Sequence, residues 1–318
     1  MICLAAALAA TAAATVSAQS FPSKPIRLVV PFPPGPIDVL ARIYAPKMSE
    51  ELGQAVIVEN RPGAGSALGT EFVARSAPDG YTLLHCSTSA LLMAPFTVKA
   101  VTYNALKDFS LISQMMETPY YLLLNSAVPI NSVQELIDFA KRNPGKLSYA
   151  TSGVGSAGHM EVEALKSILG IDIVHVPYKG MAPAIQDVIA GRVEMASMVY
   201  LGFGAMLASG KLKLIAVTDF TRHKSFPAVP SITETVPNFR RIPTWQALVG
   251  PAGIPRPVVM RLHNAIVKAL NMPEVRAKIE GEAKSVIIGN TPEEFAPVLK
   301  ADYEHVGRLV KELGIKAE

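Results

Sequence analysis

Residues 146–180, KLSYATSGVGSAGHMEVEALKSILGIDIVHVPYKG, hold the pattern that decides the fold. Lys146 to Ala150 is a short strand run. His159 to Leu169 carries apolar residues at helical spacing and closes on Gly170, and Ile171 to Val176 is β-branched and extended. Strand, glycine loop, helix and strand within about thirty residues form one βαβ unit, the element of a mostly parallel sheet covered by helices.

The loop inside this unit reads Gly153-Val-Gly155-Ser-Ala-Gly158, a literal G-x-G-x-x-G between a strand and a helix. A dinucleotide site also needs an acid at the end of the next strand, about 20 positions on, to hold the ribose. That strand ends Val176-Pro177-Tyr178-Lys179, and Asp172 stands at its beginning, so the dinucleotide reading fails. What survives is an anion site: backbone N–H groups and the hydroxyls of Thr151, Ser152 and Ser156 surround the start of a helix, where the dipole favours negative charge.

Upstream the same alternation repeats. Ile26 to Pro31 is a strand, Asp38 to Leu52 a helix stopped by Gly53, Ala55 to Val58 a strand, Thr70 to Ala77 the core of a helix, and Tyr81 to Cys86 a third strand. Two more loops join strand to helix, Pro33-Pro34-Gly35-Pro36-Ile37-Asp38 and Arg61-Pro62-Gly63-Ala64-Gly65-Ser66. Prolines cannot donate from nitrogen, so the first of these is rigid with few, fixed donors. Each alone is explained by a tight turn; three at the carboxyl ends of strands mark the edge where open α/β sheets bind ligands.

Downstream, Ala182 to Gly191 is helical, and Val193 to Val199 and Leu212 to Thr218 are extended. Ser132 with Glu135 is a capping box, and Thr291-Pro292-Glu293-Glu294 caps a long last helix ending at Gly314. Leu122–Leu124 and Ala216–Thr218 read as crossings between two lobes. The first lobe is then discontinuous, residues 19–122 plus 219–318, and the second covers 123–218.

The totals agree. A chain of 318 residues allows two domains, and with half its residues apolar and 18% charged it has material for a core in each. A net charge of +4, with no basic run interleaved with aromatics, excludes nucleic acid as a partner. Met1 to Ala18 has no charged side chain and ends Val16-Ser17-Ala18, small residues at the two positions a signal peptidase inspects. It reads as a cleaved leader, residues 1–18, and the missing basic segment ahead of it leaves room for a start further upstream. No later stretch reaches the ~18 apolar residues that span a bilayer, so an exported soluble protein is expected. Without the leader only Cys86 remains, which excludes an internal disulfide and a thiolate zinc site.

Catalytic patterns are thin. There is no G-x-S-x-G and no H-E-x-x-H, the six histidines lack metal spacing, and no cofactor is implied. His159, behind the glycine loop, could be a ligand contact or a base. A helix N-terminus disfavours its charged form, so in either role the ring is neutral.

The strings KPIRLVVPFPPG, ELGQAVIVENRPGAGSALGTEFVARSAPDGYTLL, NPGKLSYATSGVGSAGH, VHVPYKGMAPAIQDVIAGRVE and TPEEFAPVL resemble, in order and over nearly all of the mature chain, the Bug (TctC-like) family, extracytoplasmic receptors of tripartite tricarboxylate transporters. The resemblance implies a type II periplasmic-binding-protein fold, two α/β lobes with a ligand cleft between them. It implies capture of a small carboxylate by lobe closure, delivery to membrane permease subunits, a monomer, and a periplasmic location. Carried over position by position, it places the carboxylate cradle at Pro34, Gly35 and Asp38, with Ser87 and Thr88 on the third loop; Ser66, at the end of the second glycine loop, is a candidate ligand contact from the loop reading. The second lobe supplies Thr151, Ser156, Ala157 and His159, and Tyr178 and Lys179 close the pocket. Two departures stand out. Ile37 takes the place of a threonine in a loop one residue shorter, and Ser197-Met198-Val199-Tyr200 replaces a polar handle. Met198 and Tyr200 thus point to a more apolar, aromatic-accepting pocket. The rival reading, an exported enzyme acting on a carboxylate on the same fold, needs a base poised on a nucleophile, and no such pair is readable.

Overall fold

The computed structural model describes residues 21–317, so the leader expected over residues 1–18 lies outside the described residues. In chain order the elements are β1 (Ile26–Val30), α1 (Pro36–Leu52), β2 (Val56–Asn60), α2 (Ala67–Ala74), β3 (Thr82–Ser87), α3 (Ala94–Thr97) and β4 (Phe109–Glu117). A second group follows: β5 (Tyr120–Asn125), α4 (Val133–Arg142), β6 (Ser148–Thr151), α5 (Ala157–Leu169), β7 (Val174–Pro177), α6 (Met181–Ile189), β8 (Met195–Val199), α7 (Gly204–Ala208) and β9 (Leu212–Val217). The chain ends with β10 (Trp245–Pro251), α8 (Arg256–Asn271), α9 (Pro273–Arg276), β11 (Val286–Asn290) and α10 (Pro292–Glu312).

These strands build two sheets, six strands in the order β11-β4-β10-β3-β1-β2 and five in the order β7-β6-β8-β5-β9. β1 runs parallel to β2 and β3, so their carboxyl ends share one edge of the first sheet. β6 is parallel to β7 and β8, which does the same in the second. β10, the first strand after the chain returns, lies antiparallel between β3 and β4, so the last third of the chain completes the first lobe.

The crossings lie elsewhere than the sequence suggested. Leu122–Leu124 is the middle of β5, paired with Ser197–Met195 of β8 on one side and with β9 on the other. The chain passes from sheet to sheet at Thr118–Pro119. After β9 it still packs on the second lobe through Phe226, Ile232, Val236 and Phe239, with Val217 bridged to Ser231. It returns to the first sheet just ahead of β10, where Thr118 N donates to Thr244 O at 3.0 Å. Every residue of β5 is buried. An apolar run buried on both faces belongs to a central strand, not to a link between lobes.

Local chemistry sets the helix ends. α5 starts at Ser156, whose hydroxyl accepts the His159 N–H, and stops at Gly170 in the left-handed conformation. Thr291 and Glu294 form the expected reciprocal capping box ahead of α10. At α4 the Ser132 hydroxyl accepts from Glu135 N, but the Glu135 carboxylate reaches the N–H of Asn131, one residue before the cap.

Each sheet is covered on both faces. α1 and α8 pack on one face of the first sheet through Leu40, Tyr44, Leu262 and Ile266. The cluster on its other face continues into the second lobe through Tyr120, Ala157, Met160 and Val199, so the lobes share an apolar seam. Among the described residues no helix is long and apolar enough to cross a membrane.

Candidate functional site

The first lobe offers three loops at one sheet edge. After β1 the chain runs through exposed Pro33 and Pro34 to Gly35, and Pro36 starts α1. Arg61 N donates to Val30 O at 2.9 Å and Asn60 Nδ2 to Phe32 O at 3.0 Å, which ties this loop to the one after β2. Asp38 is buried, and the Arg42 Nε donates to both of its carboxylate oxygens at 3.0 Å, so its charge is already matched inside the lobe. Ile37 packs into the core beside Leu40, Ala41 and Tyr44. Of the expected cradle, Pro34 is exposed and Gly35 lines a crevice between the lobes, whereas Asp38 and Ile37 are buried behind the loop.

Ser66 ends the second loop and is buried, with an Oγ that has no hydrogen-bond partner. Ser87 and Thr88 end β3, both buried. One turn earlier, His85 is held between the Tyr44 hydroxyl at 2.8 Å and Gln246 Oε1 at 2.9 Å. Gln246 Oε1 can only accept, so Nε2 carries the proton and Nδ1 accepts from the tyrosine. Burial brings the His85 pKa down to about 4, which keeps it neutral.

In the second lobe the glycine loop is built on histidines. His159 Nδ1 accepts the N–H of Gly155 at 3.1 Å, and its ring stacks on His175 at 4.2 Å between centroids. His175 stacks in turn on Tyr149, and its Nε2 lies 2.7 Å from Thr151 Oγ1. Burial lowers the pKa of both histidines, that of His175 to about 4. His159 is therefore neutral, with Nδ1 taken up by the loop it shapes, and Nε2 is its remaining donor. Thr151 likewise bonds within the loop, to Gly153 at 3.2 Å.

The closing turn is anchored too. Tyr178 N donates to Thr151 O and Gly180 N to Ser152 O, and the Tyr178 hydroxyl donates to Asp187 at 2.7 Å. Lys179 is exposed. Met198 is buried in the core of the second lobe. Tyr200 joins an aromatic cluster with Tyr121, Phe203 and Phe226, and the Lys284 ammonium of the first lobe lies 5.8 Å from its ring centre. Met198 is thus part of the lobe's core, whereas Tyr200 is half-buried at the edge of its aromatic cluster.

The lobes meet where these loops face each other. Ser89 Oγ accepts the N–H of Ala157, first residue of α5, at 3.3 Å. Gly155 abuts Thr97 so closely that a methyl group there would overlap the threonine, and a Cβ on Gly180 would stand 3.3 Å from Pro33 Cγ. Beside these contacts lies a crevice of about 250 Å³ between Gly35, Pro36 and Val39 on one side and Met181, Ala182 and Ile185 on the other. Ser89, Thr97 and Met181 were missed from the sequence. The hydroxyl run Ser87-Thr88-Ser89 was the available sign for the first; nothing local marks the others.

The loops that meet here bring hydroxyls, backbone N–H groups and neutral histidine rings to the junction of the lobes, while the crevice itself is lined mainly by apolar side chains. The Cys86 thiol is buried, donates to Ala247 O and is pushed well above its ordinary pKa by burial, so it is no nucleophile. Among the described residues no three His, Cys, Asp or Glu side chains are placed to hold a metal ion.

Comparison with known proteins agrees with this geometry. Residues 40–315 match the family model described as the tripartite tricarboxylate transporter family receptor. Protein BugT of Bordetella pertussis is 34% identical over 96% of this chain and 94% of its own. The solved periplasmic binding protein BugD is 30% identical, with a TM-score of 0.86 over 94% of this chain and all of its own. An R. palustris protein solved with adipate is 28% identical, with a TM-score of 0.88 over the same shares. The two-lobe fold is that of periplasmic binding proteins, and the role it carries is solute binding, not catalysis. The chain belongs to the receptor family of the tripartite tricarboxylate transporters.

Proposed function

We propose that this receptor is exported, loses its leader after Ala18, works as a monomer in the periplasm, closes its two lobes on a small carboxylate and presents it to the permease subunits of a tripartite transporter. The observation that carries the reading is the meeting of Ser89 with Ala157. The first N–H of α5 is satisfied by a hydroxyl of the opposite lobe, at the helix end where the dipole favours an anion. A carboxylate between the loops after β1, β3 and β6 would find donors from both lobes, which is what favours the closed state. The matched charge of Asp38 leaves the cradle without a free anion to repel it.

For the ligand's body, an aromatic acid is the finer reading. It rests on absent polar handles: Ile37 and Met198 are packed in the lobe cores, so positions 37 and 198 offer no partner for a second charge. A thermal-shift panel of benzoate, adipate, malate and citrate, followed by titration calorimetry, tests both levels. A ranking led by malate or citrate with benzoate silent removes the aromatic reading; no stabilisation by any acid removes the carboxylate. N-terminal sequencing of exported protein checks the start at Gln19.

A further inference from the structure

Ser66 combines two unfavourable features at one residue. Its backbone lies at φ 84, in the left-handed region, where a side chain is strained. Its Oγ, on a residue 3% exposed, has no hydrogen-bond partner, and a buried unpaired hydroxyl is destabilising. Glycine at this position would remove both penalties.

Helix capping does not account for the serine. Ser66 occupies the cap position of α2, where a hydroxyl ordinarily accepts an N–H of the first turn, yet it makes no such bond. A capping residue is extended, and the left-handed backbone of Ser66 turns its side chain away from that N–H. Ala64 in the same loop is also left-handed, at φ 45. Strain of this kind persists where a ligand or clamp makes use of it.

Position in the fold supplies that use. The loop is fastened to the end of β1 by the bond from Arg61 N to Val30 O, and a Cβ on Gly65 would stand 3.0 Å from Val98 beyond α3. Ser66 therefore sits between the loop after β1 and the turn after β3, on the edge where the first lobe's loops gather, at the positive end of α2. We propose that Ser66 Oγ is a ligand donor, giving its hydroxyl hydrogen to an oxygen of the bound carboxylate and so distinguishing acids that place an oxygen there from those that do not. The inference rests on the cleft being a carboxylate site. The serine is retained against its own strain because the bound oxygen completes it.

Two variants separate the contributions. Ser66→Ala keeps the strained backbone and loses the hydroxyl; Ser66→Gly loses both. Each is titrated calorimetrically with whichever of adipate, malate and benzoate binds wild type tightest, and each is melted without ligand. The expected result is a loss of about tenfold or more in affinity for both variants, with unchanged far-ultraviolet circular dichroism, and a higher ligand-free Tm for Ser66→Gly. Wild-type affinity in Ser66→Ala, or a lowered Tm in Ser66→Gly, overturns the proposal and leaves the receptor reading standing. If wild type binds none of the three acids, the carboxylate reading falls, and this proposal falls with it.

Discussion

Glu161 Oε1 lies 3.0 Å from Thr218 Oγ1, so a carboxyl buried in the second lobe touches the residue that follows the last strand of that lobe's sheet. Its other oxygen accepts from Ser197 Oγ at 2.5 Å, and Thr218 Oγ1 also lies 3.1 Å from Tyr120 O, just past the first crossing. Burial pushes the Glu161 pKa up to about 8; the two hydroxyls and Arg241 draw it down, and Asp219 adds repulsion. A proton on Glu161 suits this arrangement, because the carboxyl can then donate to Thr218 while Thr218 donates to Tyr120 O.

That gives a pH dependence of stability with a definite sign. Below the ordinary carboxyl pKa, Glu161 is neutral both folded and unfolded. As pH rises, the unfolded chain ionises first, so stability falls until pH passes about 8 and then levels off. His85 and His175 act in the opposite sense: their lowered pKa values cost stability as pH falls below their ordinary range towards 4. Between pH 7 and pH 9 they are silent, and Glu161 alone should cost wild type about 1 kcal/mol, a Tm fall of roughly 2–4 °C. Glu161→Gln should be flat over that interval. Equal slopes in the two proteins would refute the assignment.

Gly155 holds the second lobe close to the first. It is left-handed at φ 72, its N–H is bonded to His159 Nδ1, and it abuts Thr97, whose hydroxyl is committed to Met93 O at 3.0 Å. A methyl group at 155 meets a side chain that cannot turn away without losing that bond. Gly155→Ala should weaken carboxylate binding by about tenfold or more, at 1.4 kcal/mol per tenfold, while circular dichroism stays that of wild type. Calorimetry that returns the wild-type Kd would show that the lobes need not approach this closely.

Tyr121 is fully buried among Phe203, Phe226, Tyr200 and His223, and its hydroxyl has no partner. Removing an unpaired buried hydroxyl while keeping the ring that fills the cluster is stabilising by about 1 kcal/mol. Tyr121→Phe should melt a few degrees higher than wild type by calorimetry. A lower Tm would mean that the hydroxyl is satisfied by a bound water.

What could be read from the sequence was what local chemistry dictates. Gly170 had to stop α5 because a left-handed residue ends a helix cheaply only when it lacks a Cβ, and Thr291 with Glu294 cap α10 without help from the rest of the chain. The glycine loops declared the ligand edge for the same reason. Side-chain direction was less legible. Ile37 was taken for a cleft residue, yet with Leu40, Ala41 and Tyr44 it falls on one stripe of α1, and that spacing already pointed it at the core. Glu161 hid in the same way, an acid on the buried stripe of α5 with Ala157, Ala164 and Leu165. Leu122 suggests a crossing because the local pattern changes on either side of its apolar strand, and such a change marks the edge of a lobe and a central strand alike. Ser89 and Ala157 are 68 positions apart, and only the tertiary fold brings them together.

The last prediction concerns closure. Two crossings join the lobes, Thr118–Pro119 and the stretch from Ile242 to Thr244 ahead of β10, and both are pinned by backbone hydrogen bonds nearby. Thr118 N donates to Thr244 O at 3.0 Å, and Thr218 N to Tyr120 O at the same distance. Beyond these pins the lobes meet along the apolar seam of Tyr120, Ala157, Met160 and Val199, and at the cleft mouth through the Ser89–Ala157 hydrogen bond and the Gly155–Thr97 approach. Rotation about the crossings has to open or slide this seam, and a ligand held by both lobes shifts the balance by its differential contacts with the closed state. Small-angle scattering should show a smaller radius of gyration with a saturating acid than without. Ser89→Ala should leave each lobe folded, enlarge the ligand-free radius and raise Kd several-fold, since the neutral hydrogen bond it removes contributes about 1 kcal/mol. An unchanged radius in wild type with calorimetrically proven binding would sink hinge closure as the capture step. A ligand-free Ser89→Ala radius equal to that of wild type would show that this bond does not hold the lobes together.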